Sequence, residues 1–264
     1  FFLIEYFVRI SPSVMAPQLM EDFHTNALGL GSLSAFFYYA YIMMQIPAGI
    51  MADRFGPSKL LQIACLLCAI GSILFALTGN LQIATFSRFM IGFGSAFAFV
   101  CTLKILVHWF DIRYFALFAG LTQALGMIGA AIGDAPMALL FHHYGWRHTM
   151  LGVALLFFII FVLMLLIMRD TPQGTLTKKP VKIKALITSI KNILSHLPTW
   201  LNCLYIGLLY GPTAVFAGMW GVSFIHHAYH TSDVVAASEM GMVFIGLALG
   251  CPIMGSLSNH IKKR

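Results

Sequence analysis

Few residues in this 264-residue chain could do chemistry, and the informative ones sit in otherwise apolar stretches. Glu5 and Arg9 lie four apart, Arg88 stands alone, Asp134 falls in Gly133-Asp134-Ala135-Pro136, and Glu239 lies in a late apolar run. An ionisable side chain at mid-bilayer costs at least a few kcal/mol unless it is paired or solvated. Glu5 precedes Arg9 in the order that favours an intrahelical pair. The pair either specifies helix packing or lines a cavity, and Pro12 and Pro17 can kink its helix. Arg88 has no acidic residue within one turn, so it needs a partner on another helix, a bound anion or water. Asp134 could carry a proton, pair with Arg88 or face a wet crevice. Glu239 is shallower and either snorkels or joins the proton route. Tyr38, Tyr39, Tyr41, Gln123, Tyr205 and Tyr210 could complete a polar pocket, although three near-adjacent tyrosines cannot all face one cavity. Arg9, Arg88, Tyr38, Gln123 and Tyr205 are therefore the candidate substrate ligands, and Asp134, Glu5 and Glu239 the candidate proton carriers.

No enzyme constellation accompanies them. Gly92-Phe93-Gly94-Ser95 lacks the preceding strand that a nucleophile turn needs and reads as helix packing. Cys65 and Cys68 have CxxC spacing without a second pair or nearby His, so no metal site or cofactor is expected. All five Cys read as small apolar core residues. His142, His143, His148, His226, His227 and His230 read as solvated loop residues.

The elements that hold these groups follow from composition. Apolar residues make up 59% and charged residues 9%, with 23 Phe and 15 Met, and the mean hydropathy is +0.86. One soluble core of this size cannot bury that surface. This excludes a cytosolic enzyme, a nucleic-acid-binding domain and a disordered chain, and implies an all-α polytopic bundle in a lipid bilayer. Spanning about 30 Å of hydrocarbon takes about 20 apolar residues. Eight stretches qualify, at about 1–20, 28–51, 60–79, 82–103, 114–141, 147–168, 200–226 and 235–257. The first starts without an initiator Met and reads as a true span whose start is missing. Of the 16 Lys and Arg, 13 fall in one set of loops and only Arg147 in the other, so both ends of the chain are expected in the cytoplasm. The formal charge of +7 thus faces a membrane surface.

Three units are expected: a six-helix bundle over 1–168, a cytoplasmic linker over 169–198, and the first two helices of a second bundle over 199–264. Within the linker, Lys182 to Leu197 places apolar residues at helical spacing, which predicts an amphipathic helix on the inner leaflet. An internal repeat supports the division. Gly49-Ile50-Met51-Ala52-Asp53-Arg54-Phe55-Gly56 follows the second span, and Gly255-Ser256-Leu257-Ser258-Asn259-His260 with Ile261, Lys262, Lys263 and Arg264 follows the eighth. Duplicated halves of this size mark secondary transporters.

Gly49 to Lys59 resembles the cytoplasmic signature motif of the major facilitator superfamily. Arg88-Phe89-Met90-Ile91-Gly92-Phe93-Gly94 is similar to that family's fourth-span element, Trp109-Phe110-Asp111-Ile112-Arg113 to its loop before the fifth span, and Gly145-Trp146-Arg147 to its turn before the sixth. Pro57 and Ser58 stand where basic residues are common, and Asn259 replaces Asp in the second copy. The resemblance implies twelve helices in two six-helix halves, of which this chain would carry about eight, in a bacterial inner membrane. It implies alternating access; the two buried arginines point to a small anionic or zwitterionic metabolite, the three membrane carboxyls to protons as the coupling ion, and a monomer is expected. A uniporter of amino acids or short peptides, a transporter-fold sensor and a channel are the rival readings. The resemblance further implies gating roles for Gly49, Asp53, Arg54, Gly56, Arg113 and Asn259, with Asp53 bonding Arg113. Of the two arginines, Arg88 is expected to be the freer to meet an anion, with Asp134 balancing it.

Overall fold

The structure, a computed structural model, describes residues 1–171, 188 and 191–261. Every element of regular structure among them is helical. The helices are α1 (Phe2–Val14), α2 (Ala16–Asp22), α3 (Ala27–Phe55), α4 (Pro57–Leu77), α5 (Leu81–Trp109), α6 (Phe115–Gly133), α7 (Ala135–Ile167), α8 (Leu197–Val215), α9 (Gly221–Tyr229) and α10 (Asp233–Ile261). Seven helices among the described residues are long and apolar enough to cross a membrane. The protein is an all-α polytopic membrane bundle.

Three of the expected spans are interrupted. The first, expected unbroken over 1–20, divides at Met15 (φ −87°, ψ 1°) into α1 and α2. Pro12 has no N–H, and Pro17 suits the first turn of a new helix. The fifth, expected over 114–141, leaves helical geometry at Asp134 (φ −90°, ψ −101°). The chain then runs on as α7, which bends at Gly145 (φ 75°, ψ 155°). The seventh passes from α8 to α9 through a π-turn, Phe216–Trp220. Half of the expected amphipathic stretch Lys182 to Leu197 lies outside the described residues. Of it, 191–195 are helical and exposed.

The other ends obey local rules. Asn26 accepts from Gly29 N at 3.1 Å to start α3, and Asn80 accepts from Gln82 N at 2.8 Å to start α5, which relieves orphan N–H groups. Gly56 turns α3 into α4 at φ +88°, a conformation that favours glycine, and Pro57 opens the next helix.

Lipid offers no hydrophobic drive between helices, so close backbone approach supplies the packing. Gly92 of α5 lies against the Phe37 backbone of α3, and Gly94 against Ala64 of α4. Gly129 of α6 lies against Leu3 of α1, while Gly120 of α6 meets Cys251 of α10 and Gly255 of α10 meets Ala116 of α6. Cys65, Cys68 and Cys101 are buried as free thiols. Asp22, at the end of α2, accepts from Trp146 Nε1 at 2.8 Å and from Arg147 Nη2 at 3.2 Å. Arg147 Nη1 also donates to Ala76 O at 3.1 Å and Thr78 O at 2.7 Å, at the C-terminal end of α4. Phe23, Phe75 and Trp146 pack as a ring cluster beneath this clamp. It fastens α2 to α4 and α7.

The crossings separate two kinds of glycine. A Cβ at Gly92 would strike the Phe37 carbonyl, whereas one at Gly152 would meet nothing within 4 Å. Gly92→Ala should destabilise the purified protein by about 1–3 kcal/mol, read as a lower melting temperature, and Gly152→Ala should leave it unchanged.

Candidate functional site

Glu5 and Arg9 share one face of α1. Arg9 donates from Nε at 3.0 Å and from Nη2 at 2.6 Å to the same Glu5 oxygen, Oε1. Glu5 is fully buried and Arg9 is 7% exposed. Three rings surround the guanidinium: Tyr6 at 4.3 Å, Tyr41 at 4.5 Å and Phe37 at 5.4 Å from its carbon. Such ring faces attract a cation more strongly where water is excluded.

Arg88 reaches the same place from α5, in contact with backbone. Pro12 cannot donate to the Val8 carbonyl four residues before it. Arg88 Nη1 donates to that carbonyl at 3.0 Å and Nη2 to the Arg9 carbonyl at 3.5 Å, with Ser11 Oγ adding a bond to Val8 O at 2.9 Å. Its guanidinium carbon stands 4.9 Å from the Phe37 ring. Arg88 Nε and Glu5 Oε2 are buried without a hydrogen-bond partner among the described residues. Two buried guanidinium groups thus stand in one centre with a single carboxylate, which pairs with Arg9 alone, an arrangement that calls for a further anion.

A polar wall closes one side. Gln123 Nε2 of α6 donates to Tyr6 Oη at 3.2 Å, and Tyr6 Oη shares a hydrogen bond with Tyr210 Oη of α8 at 3.3 Å. Tyr38 packs edge-on against Phe37. Glu5, Arg9, Arg88, Tyr38 and Gln123 therefore gather as the sequence suggested, but Tyr205 does not. It is 65% exposed, and Tyr210, five residues on, is the α8 tyrosine that joins. Tyr6 and Phe37 were not among the expected groups. Their signal was helical spacing, with Tyr6 three before Arg9 and Phe37 four before Tyr41.

The expected balance between Arg88 and Asp134 is not formed. Arg88 is committed to α1, and neither Asp134 oxygen has a partner among the described residues. Glu239 is exposed on α10. No group of three potential metal ligands exists among the described residues, and His226 pairs with Asp233 at 3.0 Å.

The basic end of the bundle also differs from expectation. Asp53 pairs with Lys104 of α5, and Arg113 pairs with its neighbour Asp111 at 3.0 Å. Lys104 Nζ also donates to Gly49 O at 2.7 Å, which ties both ends of the Gly49–Asp53 turn to α5. Ser58 N donates to Asp170 Oδ1 at 2.7 Å, and a Cβ on Gly56 would collide with that carboxylate. Arg54 lies over the Phe55 ring at 5.4 Å, and Asn259 belongs to α10. A groove of about 570 Å³ opens beside the Asp53–Lys104 pair, with Phe99 in its lining. Phe99 stacks on Phe2 at 5.5 Å, and Phe2 meets Tyr6 at 5.0 Å, a chain of ring contacts that leads to Arg9.

Membrane-length helices locked by glycine crossings around a buried charge cluster define a polytopic integral membrane protein. The chain matches the family model of the Major Facilitator Superfamily over residues 1–264, and it belongs to that superfamily. It is 30% identical over 148 residues to the probable sulfoacetate transporter SauU of Cupriavidus necator, covering 56% of this chain and 34% of that protein. It is 24% identical over 158 residues to the probable galactarate/D-glucarate transporter GarP of Escherichia coli K12, covering 57% and 36%. It is 27% identical over 173 residues to the membrane sensor protein UhpC of Salmonella typhimurium, covering 64% and 38%. The chain thus matches a little over a third of the length of these curated relatives. They are named for transport or sensing, and none for enzymatic catalysis.

The pairing at the basic end has a direct test. In the intact protein, Lys104→Met should change the labelling of cysteine probes placed at the basic end in the same direction as Asp53→Asn. Arg113→Met should leave it unchanged, and the reverse ranking would restore Arg113 as the partner.

Proposed function

We propose that this chain is part of a secondary carrier that moves a small organic anion by alternating access and couples it to protons through Glu5. The observation that carries this reading is the buried set of two guanidinium groups against one carboxylate. Arg9 already holds an anion, the Glu5 carboxylate, in a geometry that a substrate carboxylate or sulfonate can copy. Protonation of Glu5 frees Arg9 for the substrate, so proton and anion binding favour one another. The names of the relatives SauU and GarP, which refer to small organic anions, support this class over the zwitterions also considered. Arg88 acts by holding the α1 backbone under Arg9, and Gln123, Tyr6 and Tyr210 supply hydrogen bonds to the rest of the substrate. Glu239, being exposed, has no part in the coupling.

Two bundles joined by the linker, with the basic end in the cytoplasm of a bacterial inner membrane, give the Gly49–Gly56 end of α3 and the Asp53–Lys104 pair the role of a cytoplasmic gate. The carrier works as a monomer.

The test uses the intact protein, with sulfoacetate and D-glucarate as probes. Arg9→Ala should abolish binding in calorimetry. Wild-type affinity should rise as pH falls, by about tenfold for each unit by which Glu5 and substrate are coupled. Glu5→Gln should keep the low-pH affinity at every pH and drive no proton movement in liposomes. Arg88→Ala should lower the melting temperature together with binding, because it acts through α1. Binding by Arg9→Ala, or wild-type pH dependence in Glu5→Gln, would overturn the reading. The similarity to UhpC favours one alternative, a sensor that binds the anion with the same residues. Saturable binding with no flux in liposomes would select it.

A further inference from the structure

Asp134 takes no part in the cluster described above. It lies between α6 and α7, fully buried, and both carboxyl oxygens lack a partner among the described residues. Its backbone is satisfied: its N–H donates to Ala131 O at 3.3 Å, and its carbonyl accepts from Ala138 N at 2.9 Å. The side chain caps neither helix. Across from it is Gly241 of α10, where an added Cβ would stand 3.9 Å from Asp134 Cβ and 3.8 Å from Ala131 O. Gly133, the preceding residue, packs on the backbone of Phe7 and on Ile10 of α1.

Among the described residues, no charged group of the elements packed around it is paired with this carboxyl. On α1, Glu5 and Arg9 bond each other and Tyr6 bonds Gln123 and Tyr210. On α10, Asp233 pairs with His226 and Glu239 is exposed. On α7, Arg147 is held by Asp22 and the Ala76 and Thr78 carbonyls, His148 bonds the Tyr144 carbonyl, and His142 and His143 are exposed. α6 contributes no other ionisable side chain. An ionised carboxylate buried without cation or donor costs several kcal/mol, and the neutral acid far less. The opposing wall is a glycine, so α10 can withdraw without breaking any bond to Asp134.

We propose that Asp134 is a proton-binding site that latches the α6–α10 seam. With the seam packed, the carboxyl holds a proton. When α10 separates and water enters, the proton leaves and the charged carboxylate resists repacking. The packed arrangement binds more protons than the open one, so low pH favours packing and rising pH favours opening. This site is separate from the anion site and does not depend on it.

Cys251 of α10 provides the readout, because its backbone packs on Gly120 along the same seam. In intact protein carrying Cys203→Ser, which removes the exposed thiol, alkylation of Cys251 by N-ethylmaleimide is followed by mass spectrometry from mildly acid to mildly alkaline pH. Asp134→Asn, permanently neutral, reports the intrinsic pH dependence of the thiol. The wild-type rate divided by the Asp134→Asn rate should rise by about tenfold over this range, for one unit of coupling between proton and seam. Equal profiles overturn the proposal. Should Asp134→Asn not fold, the acid-minus-alkaline infrared difference spectrum of the wild type and of Asp134→Glu decides. A protonated-carboxyl band whose frequency moves in Asp134→Glu supports the site, and a band unmoved or absent refutes it. Sulfoacetate and D-glucarate binding by Asp134→Asn should equal wild type, so failure of this latch and failure of the anion site read out separately.

Discussion

The centre of the bundle depends on a guanidinium from α5 donating to a carbonyl of α1 that has lost its own helical donor. Pro12 exposes the Val8 carbonyl, and Arg88 covers it at 3.0 Å. Without Arg88, the Val8 carbonyl would keep only the Ser11 hydroxyl, and without Pro12, Arg88 would bury a cation lacking its chief acceptor. Each residue makes the other tolerable. Removing one partner of such a buried charged contact costs about 3–5 kcal/mol, so the two helices are bound by necessity as much as by fit. Arg9 is placed by this contact, because the second Arg88 nitrogen meets the Arg9 carbonyl itself. The rings of Tyr6, Phe37 and Tyr41 then stand in for the water that Arg9 has lost.

Around that centre the helices meet in two manners. α3, α4 and α5 are held by glycines against backbone, with no carboxyl group at Gly92 or Gly94. α6 and α10 also meet through glycines, but the seam contains the Asp134 carboxyl. Its packing therefore depends on solvent conditions in a way that the α3–α5 crossing does not. Rigid and responsive contacts are built from the same small residues, and a single buried acid separates them.

Much of this was legible in the sequence. Most of the spans, the Glu5–Arg9 pair and the family followed from hydropathy and motif spacing. The misses share a physical cause. Backbone acceptors carry no residue label, so Arg88 read as a cation awaiting an acid or an anion, although Pro12 four residues after Val8 did announce the vacant carbonyl. Charged residues at the membrane surface can choose among several partners at little difference in energy. Lys104 was therefore as available to Asp53 as Arg113, and the register of α3 on α5 decided between them. Tyr205 and Tyr210 differ only in direction along α8, and direction requires a neighbour. The breaks at Met15 and Asp134 sit beside prolines, yet their exact places depend on what packs against them.

The clamp of Asp22 with Trp146 and Arg147 joins residues up to 125 positions apart. Ribosomes add about 5–20 residues per second, so Asp22 waits on the order of ten seconds for its partners to be made. During that interval the Ala76 and Thr78 carbonyls lack their guanidinium, and α2 rests on α1 and α3 without this tie. The clamp on the first span can therefore close only once the sixth has been made.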